Sequence, residues 1–264
     1  MKPALRVFLA GLLLQVMPAN AGDYLSELTW QQADAMLPTA TVIIPVGAGA
    51  KEHGPHLPLG TDAIVLEHLL QAAVSLPNVL VAPPILHGWF PAFRDYPGTE
   101  VADATVFQNY VKAVSASLIK HGVTRLVFLN TGISVATGLP LSIVARDLRA
   151  DHNVRTLVLS WDDLETHATD HLYSQLRGGH ADEGETSVML FLRPDLVDLT
   201  KAEADYRAPP KEQIGYAPGK FERADEPGVF GDPTLATVAK GKAILAVMRA
   251  NLTLALTQFS QAQR

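Results

Sequence analysis

Four short apolar runs, Thr41–Val46 (TVIIPV), Val79–Ala82 (VLVA), Leu126–Leu129 (LVFL) and Thr156–Leu159 (TLVL), recur along the chain with a helical stretch between each and the next. Their hydrophobicity is continuous rather than alternating, the pattern of strands covered on both faces, as in parallel sheets. Parallel neighbours cannot be joined by a tight turn, so each connection must be a crossover, and such crossovers are right-handed. The stretches between have the period this needs: Ile64, Val65, Leu69, Ala73 and Val74 share one face, and Val106, Phe107, Tyr110, Val111, Val114 and Leu118 mark a strongly periodic helix. A third helix is expected at Leu139 to Leu148 and a last long one from Asp232-Pro233 to about Gln258. The expected fold is therefore α/β, with a mostly parallel central sheet flanked by helices on both faces. In such sheets ligands bind beyond the carboxyl ends of the strands.

The chemistry-bearing residues lie in the loops that leave those ends. The first run opens into GAGAKEHGPHLPLGTD, Gly47 to Asp62, where Gly and Pro shape a turn around Glu52, His53, His56 and Asp62. There is no cysteine, so any metal must be held by nitrogen and oxygen donors, and these are such donors. We expect His53, Asp62 and Glu52 as ligands. Each has a plainer role available: His53 bonded to turn backbone, Glu52 a solvated carboxylate or the partner of Lys51, and Asp62 the cap of the following helix, a place Thr61 can also fill. His56 is expected to brace the loop. A second polar loop, His180 to Glu185, precedes an apolar helix. An imidazole at His180 can exchange protons near neutrality, and Glu185 is either functional or an acidic residue in a first helical turn. Asp182 and Glu183 are weaker candidates. The pair His167 and His171 is spaced for one helix face, though such residues are more often surface. Trp89, Phe90 and Tyr96 are candidates for a pocket wall.

Residues 1–21 run from Lys2 and Arg6 through an apolar Val7–Met17 to Ala19-Asn20-Ala21. This is the layout of a secretory signal peptide, too short to span a bilayer. The expected organisation is a signal peptide at 1–21 and one domain at 22–264, periplasmic or secreted, with no membrane attachment after cleavage. A net charge of -6 without clustered Lys and Arg argues against a nucleic-acid partner. Residues 194 to 233, rich in Pro, Gly and charge, read as a long surface excursion.

At Glu52-His53-Gly54-Pro55-His56-Leu57-Pro58-Leu59-Gly60-Thr61-Asp62 the chain resembles the creatininase (creatinine amidohydrolase) family, whose mark is E-x-H-G-P-H-L-P-x-x-T-D after the first strand. Tyr96-Pro97-Gly98-Thr99 is similar to its FPGT, and His180-Ala181 with Glu185-Thr186-Ser187 to its H-A-G-x-x-E-T-S. The resemblance implies a three-layer sandwich and a metal-dependent amidohydrolase with one or two zinc or manganese ions. It also implies a small-molecule amide substrate and a homo-oligomer. It places His53 and Asp62 among the metal ligands and His180 in the substrate pocket, where it would protonate the leaving nitrogen. Two positions depart from the family. Lys51 stands where the first Glu belongs, with Glu52 one residue late, and Gly132 stands where the loop after the third run carries a histidine. The expectation is a hydrolase of small or cyclic amides. The alternatives are an inactive binding protein on the same fold, or a lactonase or peptidase.

Overall fold

The computed structural model describes residues 22–132, 134–206 and 227–262; the expected signal peptide lies outside them. In chain order the elements are β1 (Asp23–Tyr24), α1 (Trp30–Met36), β2 (Thr41–Val46), α2 (Thr61–Ala73), β3 (Val79–Val81) and α3 (Ala104–Lys120). They continue as β4 (Arg125–Asn130), α4 (Ser134–His152), β5 (Arg155–Ser160), α5 (Trp161–Glu165), α6 (Glu183–Leu192) and α7 (Val238–Gln261). The five strands form one parallel sheet in the order β1-β3-β2-β4-β5.

The central strands β2, β3 and β4 are buried on both sides. Ile43, Val81, Val127 and Leu129 face α2, α6 and α7, while Val42, Ile44, Leu80 and Phe128 face α3 and α4. Period two along each strand thus feeds two separate cores, giving the expected three layers. The chain runs outward from β2 to β3, then returns to place β4 on the other side of β2. This reversal opens the crevice in which parallel sheets bind ligands, and the loop beginning at Gly47 leaves β2 at that point. The loop after β4 flanks it: the Thr131 amide donates to Val46 O at 3.0 Å.

Four local expectations are corrected. Residues 22 to 37 have weak helical spacing but divide into β1, a 3-10 turn and α1, because Thr29 and Gln32 close a capping box that starts the helix at Trp30. Thr61 does not cap α2; Gly60 is the cap, and the Thr61 hydroxyl donates back to Pro58 O at 2.8 Å. The helix after β4 begins at Ser134, ahead of the expected Leu139, and runs through Pro140 to His152. Asp232-Pro233 opens only a 3-10 turn, and α7 starts later under a Thr237 cap. At 24 residues α7 is long and apolar enough to cross a membrane, but Ile244, Leu245, Met248, Leu252 and Leu256 bury one stripe of it in the core.

Candidate metal centre

The loop after β2 is tied down at both ends before it presents any functional group. Gly49 N donates to Leu86 O at 2.8 Å, Lys51 N to Leu59 O at 3.0 Å, and Glu52 N to Thr99 Oγ1 at 3.0 Å. The last bond is the contribution of the YPGT segment, which docks on the loop. Gly54 turns the chain with φ +68°, a conformation glycine adopts without penalty. So held, the loop places Lys51, Glu52, His53 and His56 in the interior, at 2%, 5%, 0% and 1% exposure. Four polar groups buried together need partners or a ligand.

His53 carries the clearest sign of a ligand. Its Nδ1 lies 2.8 Å from Lys51 O and its Nε2 lies 2.9 Å from Asp62 Oδ1. A carbonyl oxygen only accepts, so Nδ1 carries a proton. Burial alone would raise the Asp62 carboxyl, but Lys51 and His53 outweigh it and hold it down at about 2, so Asp62 accepts as well. A ring with both nitrogens facing acceptors either carries two protons or gives Nε2 to a cation. Backbone-fixed Nδ1–H is also the usual support of a metal-binding imidazole.

The opposite side of the centre comes from the loop before α6. His180 N and Phe230 O, and Phe230 N and His180 O, join the two segments in an antiparallel bridge. Asp182 caps α6 by accepting from Gly184 N and Glu185 N, and Glu183 accepts from Ser174 N and Gln175 N, so both build the loop. His180 Nε2 lies 3.0 Å from Glu52 Oε2 and Nδ1 lies 3.9 Å from Glu185 Oε2. Its ring packs 4.2 Å from Phe93 and 5.1 Å from His53, centre to centre. Burial pushes the Glu185 carboxyl up to about 7, against the pull of His180 and Lys51.

His53, Asp62, Glu52, His180 and Glu185, far apart in sequence, thus form one cluster. Among the described residues His53, His180 and Glu185 offer ligand atoms all within 4.8 Å of one another. Two imidazoles and a carboxylate are a donor set suited to zinc or manganese with one position left open. Glu52 behind His180 has the geometry of an outer carboxylate that orients a ligand. The set fits one ion. The loop after β4 adds no donor at Gly132, where a Cβ would come within 3.2 Å of both the Phe90 ring and Asn130 Oδ1.

The centre lies at the wall of a cavity of about 1010 Å³, lined by Lys51, Phe93, Gly132, Trp161, His180 and Glu185 among others. Of the expected wall aromatics, Phe90 is buried beneath Lys51 and Trp89 lines a separate, smaller recess. Phe93 and Trp161 do the work instead; neither stands in a motif, so no sequence signal marks them. Lys51 pairs with Asp62, Nζ to Oδ2 at 2.9 Å, and not with Glu52. His167 and His171 sit in an exposed 3-10 turn, with His167 bonded to Asp170 at 3.0 Å.

His56 braces the loop against α6, its Nε2 lying 2.8 Å from Thr186 Oγ1 while Nδ1 is buried without a hydrogen bond. Burial lowers its pKa to about 4, with His53 and His180 adding to the effect against Glu52. The unfolded chain takes up this proton below about 6.5 and the folded one only near 4, so stability is complete above the first value and lost as pH falls towards the second. Denaturant titrations should show up to roughly 3 kcal/mol lost across that window from this group. His56→Gln should flatten the slope; an unchanged slope would assign the acid lability elsewhere.

The chain's likeness to known proteins agrees with this geometry. The model of the Creatininase family, described as creatinine amidohydrolase, matches residues 26–256. The chain belongs to the creatininase family. Creatinine amidohydrolase of Pseudomonas putida is 28% identical over 245 residues, covering 85% of this chain and 92% of the relative. The mycofactocin precursor peptide peptidase of Mycolicibacterium smegmatis is 29% identical over 232 residues, covering 85% and 86%. A solved creatininase described as the Mn form superimposes with a TM-score of 0.73 at 26% identity, covering 90% of this chain and 99% of the other. A Zn-Zn form gives 0.75 at 25% identity, covering 90% and 98%. Creatininase-family proteins are metal-dependent hydrolases of C–N bonds other than standard peptide bonds, and the chain falls in that enzyme class.

Proposed function

We propose that this creatininase-family protein hydrolyses a small amide or cyclic amide outside the cytoplasm, with one divalent ion held by His53, His180 and Glu185. The observation that carries the reading is the convergence of these three donors, two of which, His180 and Glu185, line the cavity. A zinc or manganese ion there would lower the pKa of a bound water towards ~7 and polarise the scissile carbonyl. Glu52 fixes the His180 ring through Nε2, and the Lys51 carbonyl fixes His53 through Nδ1. With His180 among the ligands, its imidazole is not free to protonate the departing nitrogen, which needs a proton because an amine anion is too basic to leave alone; the proton given up by the attacking water supplies it. The secretory layout of residues 1–21 supports an extracytoplasmic site. Exposed Val106 and Tyr110 on α3 and Leu139 on α4 offer apolar surface for a homo-oligomer.

A second reading, cleavage of a peptide-derived amide, is favoured by the size of the cavity, which exceeds what a single small ring fills, and by the peptidase relatives. Incubating the metal-loaded protein with lactams, linear amides, lactones and short peptides separates these. Hydrolysis of C–N substrates should be abolished by a chelator and restored by zinc or manganese. Turnover of lactones alone, or none at all from correctly folded, metal-loaded protein, would overturn the reading.

A further inference from the structure

The side chain of Lys51 is among the largest fully buried ones in the protein, at 2% exposure, a state that lysine adopts only when its charge is answered. Its ammonium lies 2.9 Å from Asp62 Oδ2, and the other oxygen of the same carboxylate lies 2.9 Å from His53 Nε2. Asp62 is therefore shared between a fixed cation on one side and a metal-binding imidazole on the other. The rings of Phe90 and Phe93, 5.8 and 5.6 Å from Nζ, confine the ammonium to this place.

We infer that Lys51 is a built-in cation taking the electrostatic place of a second metal ion on Asp62, so that the centre holds one divalent ion and not two. The inference rests on the reading that His53, His180 and Glu185 bind an ion. Charge and sterics both support it. Glu52, Asp62 and Glu185 bring three carboxylates together, and the Lys51 ammonium leaves two negative charges, which a single divalent ion neutralises. A second ion would leave two uncompensated positive charges in a buried site. Nor is there room for the donors it needs. Gly132 offers no side chain, and one built there would meet Phe90 and Asn130 at 3.2 Å.

The test is to strip the purified protein with a chelator, titrate it with zinc and with manganese by calorimetry, and count bound metal by mass spectrometry. Wild type should bind one ion per chain. Lys51→Met, which removes the neighbouring positive charge and frees Asp62 Oδ2, should tighten zinc binding at least ~10-fold. Two ions per wild-type chain would overturn the inference and leave the hydrolase reading standing. So would a folded K51M protein with unchanged affinity. One ion without hydrolysis would do the reverse, and no bound metal would overturn both. If K51M leaves Asp62 unbalanced and fails to fold, the double variant Lys51→Met/Asp62→Asn removes both charges and should again bind one ion. Two ions, or none, in that variant would overturn the inference.

Discussion

His53→Ala should leave the protein folded but nearly without metal and without hydrolytic activity. Outer partners of metal ligands cost roughly 10–100-fold when removed, so loss of a direct ligand should lie at or beyond the upper end of that range. Both of its ring nitrogens are engaged, yet its removal leaves the Lys51–Asp62 pair in place, so no buried charge loses its counter-ion. Metal content by mass spectrometry and amide turnover, with circular dichroism as the folding check, decide the matter. Wild-type metal content in the variant would remove His53 from the centre. His167→Ala, in the exposed turn beside Asp170, should change neither quantity.

Gly241→Ala should destabilise the protein by about 3 kcal/mol or more. Helix propensity alone gives the opposite sign, since alanine in a helix interior is favoured over glycine by about 1 kcal/mol. Packing overrides it. Gly241 lies on α7 where that helix crosses α6, and an added Cβ would stand 1.9 Å from Ser187 O and 2.8 Å from Val188 N. Both are backbone atoms and cannot rotate away, so the helices must separate. A thermal melt should fall by about 6–12 °C, the shift expected of 3 kcal/mol in a chain of this size. Because Glu185 rides on the first turn of α6, zinc affinity should weaken as well. A melting temperature equal to or above that of wild type would show that α6 and α7 are less closely packed than the structure has them.

Much of the architecture was legible because its cause is periodic and local. Continuous apolar runs at 41–46, 79–82, 126–129 and 156–159 became β2, β3, β4 and β5 within a residue or so at each end, and the burial of β2, β3 and β4 on both faces is why the strands alternate with helices. β1 was illegible: two residues at a sheet edge leave no period to read. The start of α7 was misplaced because Asp232-Pro233 satisfies the rules for a helix start while serving a 3-10 turn.

The candidate centre divides along the same line. The residue types, the turn that gathers Glu52 and His53, and the identity of the second loop at His180 follow from the sequence alone, since glycine, proline and the spacing of donors act over a few residues. Which groups meet did not. That Glu52 lies against His180, 128 positions away, and that Lys51 answers Asp62 are consequences of β2 and α6 being brought to one crevice by the order of strands and by the crossing of α6 with α7. Pairing across such distances is decided by the packing of the whole chain, because a buried charge accepts whichever partner the fold places within reach. Lys51, by sequence only a misplaced residue in a motif, becomes through that packing a fixed positive charge of the centre.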